Sequence, residues 1–410
     1  MTTAPSRRGK ASSHAGDDPR GPIRLAIDAV SGVTSIVESM HRNISGLAPA
    51  LGKPREGPTR GIAGLVYRSV RGVSRLVGHG LDAGLQLAAP MLAGKQPPPI
   101  RDAVVAALNG VFGDHLHRSA NPLAIPMQFR HGAQPLELET ASLSAALPDV
   151  GPQVLLMIHG LCMNDRQWRR EGHDHGTALA QELGYTPIYL HYNSGRHIAE
   201  NGRELAARLQ QLLDAWPVPL ESLTLLGHSM GGLVARSAVH QANAEAQRWT
   251  RHLRAMVFLG TPHHGAPLER AGSWADALIG LSPYSAPLLR LGESRSAGIK
   301  DLRFGRLIDR QSSQERHRDT RALAPLPAGV RCYAIAATRA RASEQRRRWP
   351  GDGLVPVASA LGEHHDPRRS LAFPDDQRWI AHECGHFDLL SRAEVYARVR
   401  EWLAAERSSS

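Results

Sequence analysis

The chain is predicted to adopt an α/β fold, a mostly parallel sheet with helices on both faces, preceded by a helical N-terminal appendage. Three observations carry this. Beyond Pro122, short β-rich runs alternate with amphipathic stretches, the rhythm of strand and covering helix. The first 118 residues show helical periodicity alone. At 410 residues the chain also exceeds what one ordinary domain needs, so an appendage to a large catalytic domain is expected.

Residues 1–20 are rich in Ser, Gly, Arg and Asp and read as a disordered tail without the apolar core of a secretory signal. From Ile23, the residues Ile27, Val30, Val33, Val37, Met40 and Ile44 recur at steps of three and four, predicting a helix that the Gly- and Pro-rich run at 52–58 ends. A second helix is predicted over about 62–82. Its Ile62, Val66, Val70, Val73 and Val77 form one stripe, with Arg68, Arg71 and Arg75 opposite. Val104, Val105, Leu108 and Val111 predict a third helix, and residues 21–118 are read together as the N-terminal region. Two readings of the stripes stand: packing within the protein, or peripheral contact of residues 22–118 with a membrane or lipid body, which apolar residues backed by arginine suit.

The catalytic domain is placed at 119–405. It opens with a hairpin over 126–139 turning at His131-Gly132. Strands are predicted at 154–158, 186–191, 223–226, 255–259 and 330–337, and helices at about 173–183, 199–214 and 232–246. The stretch 266–325, rich in Pro, Ser, Leu and Arg, breaks the rhythm and fits an inserted cap.

Composition limits the function classes. The net charge of +11 comes almost wholly from arginine, with Lys10, Lys53, Lys95 and Lys300 as the lysines. No zinc-finger cysteines, aromatic RNA-binding motif or continuous basic helix accompany it, so nucleic acid is not expected as a partner. No run of about 18 apolar residues is present to span a membrane. Cys162, Cys332 and Cys384 are odd in number and widely spaced, which suits reduced thiols and a cytoplasmic setting.

The chemistry centres on Gly227-His228-Ser229-Met230-Gly231, directly after one predicted strand and directly before a helix. That context makes it a nucleophile elbow, in which small residues two positions either side of the serine avoid a clash. The hydroxyl then lies at the positive end of a helix, where developing negative charge is favoured. Serine needs a base and the base an orienting acid, in chain order Ser, Asp, His for this arrangement. Asp352, between Gly351 and Gly353 after a predicted strand, is the expected acid, and His386 before the last helix the expected base. Asp366 and Asp375 compete as the acid, and Asp352 also reads as an ordinary Asp-Gly turn. The oxyanion donors are expected from the backbone of Met230 and of Leu161, which follows His159-Gly160 at a strand end. His159, Gly160, His228, His263 and His264 are expected around the substrate pocket, and neither metal nor organic cofactor is required.

His159-Gly160-Leu161, the pentapeptide around Ser229, Gly260-Thr261-Pro262-His263-His264-Gly265, Asp352-Gly353-Leu354-Val355-Pro356 and Gly385-His386 together resemble the bacterial lipase and esterase families of the α/β-hydrolase superfamily, including the inositol-deacylase-like lipases. The resemblance covers about residues 150–405 and implies an acyl-serine mechanism on an acyl ester or lipid, without metal or cofactor. Rival readings remain at this stage. An acyltransferase, thioesterase or polyester depolymerase of the same fold would carry the same motifs. His382-Glu383-Cys384-Gly385-His386 is an H-E-x-x-H string, which on a helix would offer two zinc ligands. A non-catalytic membrane-associated scaffold is the third rival, against which the complete set of catalytic motifs argues.

Overall fold

A computed structural model of the chain describes residues 98–118, 120–121, 123–265, 296–304, 307–308, 324–344 and 351–408. The tail at 1–20, the helices expected over about 23–44 and 62–82, and most of the insertion expected at 266–325 lie outside these residues.

Among the described residues, eight strands form one sheet in the order β2-β1-β4-β3-β5-β6-β7-β8. They are β1 (Gln128–His131), β2 (Gln134–Pro135), β3 (Gln153–Ile158), β4 (Thr186–His191), β5 (Ser222–His228), β6 (Leu253–Leu259), β7 (Arg331–Ala337) and β8 (Arg378–Ala381). From β4 through β8 every neighbouring pair is parallel, and β1 and β2 form an antiparallel edge. The hairpin turn falls on Gly132-Ala133, one residue later than expected. Both have positive φ, at 55° and 65°, the two-residue geometry that matches strand twist. β8 escaped sequence reading because Arg-Trp-Ile-Ala has a half-exposed, unpatterned face and sits at the sheet edge.

Leu155, Leu156, Met157 and Ile158 in β3 are all buried, as a central parallel strand covered on both faces demands. On one face, Leu155, Met157, Val257 and Ile335 share a core with Leu179 of α3 (His175–Leu183) and with Val395, Val399 and Leu403 of α8 (Ala393–Ser408). Phe258 points the other way and meets α5 (Met230–Ala244), where a Cβ on Gly232 would lie 2.8 Å from its ring. α4 (Ile198–Ala215) buries Ile198, Leu205, Leu209 and Leu212 at helical spacing. Its Gly202 comes so close to Ser237 of α5 that a Cβ would meet the hydroxyl at 2.3 Å. α3 starts at Asp174, whose carboxylate accepts from Thr177 N at 2.9 Å, and stops at left-handed Gly184.

The boundary expected at residue 118 is corrected. α1 (Pro98–Arg118) is the third helix of the sequence reading, but its residues 102–117 form one compact unit with the chain from Ile125 onward. Its buried face is made of small residues, Ala103, Ala106, Ala107 and Gly110, followed by Val111, Phe112 and Leu116, whereas Val105 and Leu108 are half-exposed. A run of alanine and glycine carries little hydrophobic signal, which is why periodicity picked out Val105 and Leu108 along with the buried Val111. Asn109 ties the helix in, since its Oδ1 accepts from Ile125 N at 3.0 Å and its Nδ2 donates to Val105 O at 2.9 Å. In the other unit, the Asn121 side chain accepts from Leu123 N at 2.9 Å.

Within the expected insertion, residues 297–304 are helical. In this helix, α6 (Ala297–Phe304), Ile299 and Leu302 are buried and Gly298 N donates to Gly195 O at 2.9 Å, so this stretch is built into the domain. The three cysteines are free and buried. No described helix is long and apolar enough to cross a membrane.

Asn109→Ala would leave a buried amide without its acceptor, at a cost of about 1–3 kcal/mol. The expected outcome in urea unfolding is a lower midpoint with unchanged slope, and an unaltered midpoint would show that the α1 tether contributes nothing.

Candidate active site

β3 pairs with β4 on one side and with β5 on the other, so the chain reverses its direction of growth across the sheet at β3/β5. The ends of strands at such a switch point leave a crevice. The C-terminal end of β3 carries His159-Gly160-Leu161, and that of β5 carries Ser229.

Ser229 adopts φ 54°, ψ −122°, outside the ordinary wells of a residue with a side chain. Such strain costs about 1–3 kcal/mol and is maintained by surroundings. Here Ser229 N donates to Leu259 O at 2.8 Å, fastening the elbow to the end of β6. The flanking glycines are required sterically. A Cβ on Gly231 would lie 2.1 Å from Ile158 O, and one on Gly227 would lie 2.6 Å from Gly232 N.

The other two expected residues meet each other. His386 Nδ1 donates to Asp352 Oδ2 at 2.7 Å, and Asp352 Oδ1 accepts from Leu354 N at 2.8 Å and Val355 N at 2.7 Å. Both side chains are buried. With Nδ1 committed, His386 Nε2 remains buried without a hydrogen-bond partner among the described residues. Its ring rests against Gly260, where a Cβ would lie 3.2 Å from Cε1, one residue beyond the carbonyl that holds Ser229. Asp366 instead binds Arg368, and Asp375, largely exposed, pairs with Arg378. The His382-to-His386 string follows β8 as bends and a turn, with Glu383 at φ 48°, so the helical spacing needed to aim two imidazoles at one zinc is missing. That corrects the zinc reading.

Of the expected oxyanion donors, Met230 directly follows Ser229 as the first residue of α5, and Leu161 follows Gly160 in the loop after β3. A Cβ on Gly160 would lie 3.1 Å from Ser229 Cβ. Among the residues expected to line a pocket, His159 and His228 have no accessible surface and act as struts. His228 Nε2 donates to His386 O at 3.1 Å, holding the backbone of His386. His159 Nδ1 donates to Gly160 O at 2.9 Å, its ring stacks on Tyr192 at 4.4 Å, and its carbonyl accepts from the Tyr192 hydroxyl at 2.9 Å. His263 accepts at Nδ1 from Arg236 Nη1 at 3.2 Å, which a neutral imidazole alone can do, and lies between Phe258 and Phe373. His264 is half-buried and donates from Nε2 to Gly362 O at 2.9 Å, while His263 N donates to Ser359 O at 3.2 Å. These two histidines therefore stitch the Gly260–Gly265 loop to the segment after Asp352.

Sequence reading missed Arg236 and a buried cluster under the loop after β3. Arg236 is buried beside His263 and also donates to Ala324 O; desolvation lowers its pKa to about 10. Under the loop, Arg130 Nη1 donates to Asp165 Oδ1 at 3.1 Å, and His191 Nδ1 lies 2.9 Å from the same oxygen. No motif flags either group, because the partners come from segments far apart in the sequence.

Burial holds four histidines neutral. Desolvation lowers the pKa of His159 to about 3 and of His175 to about 4, and it drives His228 and His263 well below the ordinary value. Between pH 6.5 and about 4 the unfolded chain binds protons at these positions that the folded chain refuses, so stability falls as pH falls through that window. Each such group contributes a slope of up to about 1.4 kcal/mol per pH unit. Unfolding free energies measured by urea at pH 7, 5.5 and 4.5 should decline accordingly, and a flat profile would contradict the neutral-strut assignment.

Residues 149–276 match the model of the PGAP1-like alpha/beta domain. No curated protein matches the chain. Among solved structures, a lipase from Bacillus licheniformis in mature form aligns at 17% identity over 62% of this chain and 91% of its own, with a TM-score of 0.42. A Pyrococcus furiosus esterase aligns at 14% identity over 63% and 82%, with a TM-score of 0.39. A thermophilic esterase from Thermogutta terrifontis aligns at 16% identity over 69% and 94%, with a TM-score of 0.38. The strand order, the elbow after β5 and the matched domain make the sheet-bearing unit an α/β-hydrolase fold.

Proposed function

We propose that the protein is a serine hydrolase that cleaves carboxylic esters of an acyl or lipid substrate through an acyl-serine intermediate. The observation that carries the reading is the buried His386–Asp352 pair, 2.7 Å apart, which leaves Nε2 unpartnered beside the strained serine elbow. In this reading Ser229 Oγ attacks the ester carbonyl carbon while His386 Nε2 takes the hydroxyl proton. Asp352, fixed by two backbone amides, keeps the imidazole in the Nδ1–H tautomer and stabilises the imidazolium. The Leu161 and Met230 amides receive the oxyanion. Collapse of the tetrahedral species breaks the carbon–oxygen bond, and His386 returns the proton to the departing alcohol. Water, deprotonated by the same nitrogen, then releases the acid and restores Ser229.

Ser229→Ala should abolish ester hydrolysis and labelling by a fluorophosphonate with the melting temperature little changed, because removing a hydroxyl opens no sizeable cavity. Turnover that survives this substitution overturns the reading. Asp352→Asn should lower kcat by about three to four orders of magnitude through the wrong tautomer, in a Ser229-dependent assay on a panel of ester chain lengths. Unchanged kcat in Asp352→Asn would remove it as the orienting acid. A panel that includes thioesters and alcohol acceptors separates ester hydrolysis from thioesterase or acyltransferase activity.

A further inference from the structure

The residue after Leu161 is held from two distant parts of the chain. Cys162 has φ 59°, a left-handed conformation unusual for a residue with a side chain. Its N–H donates to Ser194 Oγ at 3.1 Å, and its thiol lies 3.9 Å from Ala107 O on α1. Gly110 of α1 is seated directly on it, since a Cβ there would lie 2.2 Å from Sγ and 2.8 Å from both Cα and N.

Ser194 is itself fixed. It belongs to the tight segment after β4, where Asn193 Nδ2 donates to Gly113 O at 2.9 Å and Asn193 Oδ1 accepts from Gly195 N at 3.1 Å. Asn201 Nδ2 donates to Asn193 O at 3.0 Å. The start of α6 closes the assembly, with Ser296 Oγ donating to Gly110 O at 2.7 Å. Ser194 and Asn193 are buried. On the other side of Leu161, the Tyr192 hydroxyl holds the His159 carbonyl and Gly160 abuts Ser229. The peptide that carries the Leu161 N–H therefore lies between two pinned ones, His159–Gly160 and Leu161–Cys162.

We propose that Ser194 is a positioning residue, which acts through the Cys162 amide to aim the Leu161 N–H at the oxyanion, with Gly110 as the seat that keeps Cys162 in its left-handed conformation. This rests on the acyl-serine reading. Strained backbone persists where its surroundings over-determine it, and an oxyanion donor is effective only when preorganised at the position the charge will occupy. Charge develops on the carbonyl oxygen in the transition state, so misdirecting one donor lowers kcat and leaves ground-state binding nearly unchanged.

The test uses the full chain carrying Ser194→Ala, Ser194→Thr or Gly110→Ala, with kcat and KM on a p-nitrophenyl ester, thermal midpoints and amide hydrogen exchange over 159–168. Ser194→Ala is expected to lower kcat by about tenfold or more with KM within about twofold, and to speed exchange around Cys162. Ser194→Thr, which keeps the acceptor, should recover kcat to within about threefold of the parent. Gly110→Ala, with the hydroxyl intact, should reproduce the kcat loss by pushing on Cys162 from the opposite side. Parental kcat in both Ser194→Ala and Gly110→Ala overturns the proposal, as does a loss in Ser194→Ala that Ser194→Thr fails to recover. Ser229→Ala, run alongside, keeps the two readings apart. Activity persisting there defeats the acyl-serine reading itself, whereas Ser229-dependent turnover indifferent to Ser194 and Gly110 defeats the positioning role alone.

Discussion

The approach of α5 to the end of β3 is the constraint on which the rest of the site depends. Gly231 lies so close to Ile158 that any side chain would enter its carbonyl oxygen, at 2.1 Å. That contact permits the helix to begin immediately after Ser229, forces the serine backbone into its strained conformation, and brings the loop after β3 within reach of the serine. The parallel pairing of β3 and β5 supplies the register, since Ile158 is opposite Gly227. A helix set one ångström further out would relieve the strain and separate the two loops that flank the serine.

Around this elbow the histidines are arranged so that one is paired with a carboxylate and the others stay neutral. His386 and Asp352 are joined by a short bond with the carboxylate's second oxygen taken up by backbone amides, an arrangement that is stable in a low-dielectric interior because every carboxylate oxygen is satisfied. His159, His228 and His263 sit within the same region, yet burial strips them of their protons and turns them into donors and acceptors that fix carbonyls. The histidines are thus divided by environment, with identical side chains left with a free ring nitrogen or committed to scaffolding according to what each ring nitrogen meets.

Residues 102–117 are part of the same machinery, although they precede the sheet in sequence. Alanines and glycines on one face of α1 let the helix backbone descend onto the loop after β3 and the turn after β4, so that main-chain carbonyls of Ala107, Gly110 and Gly113 become hydrogen-bond partners for Cys162, Ser296 and Asn193. Larger side chains would hold the helix away and leave those buried groups unpaired, which is costly. Close packing of backbone against backbone therefore substitutes for an apolar ridge.

What the sequence by itself determined is local and periodic. The alternation of strands and helices, the glycines beside Ser229, the Asp-Gly turn at Asp352 and the order of the three expected site residues were all legible, because each is written in neighbouring residues whose steric or hydrogen-bonding demands are short-range. The glycines around Asp352 favoured it in the sequence, and tertiary structure excluded its competitors, because Asp366 is taken up by Arg368 and Asp375 by Arg378 while Asp352 meets His386. It also decided that the H-E-x-x-H string is not a helix, that His228 and His159 are struts, and that α1 belongs with the sheet. Each of these depends on contacts between segments tens to hundreds of residues apart, and on small residues whose role is to be absent from a space that something else must fill.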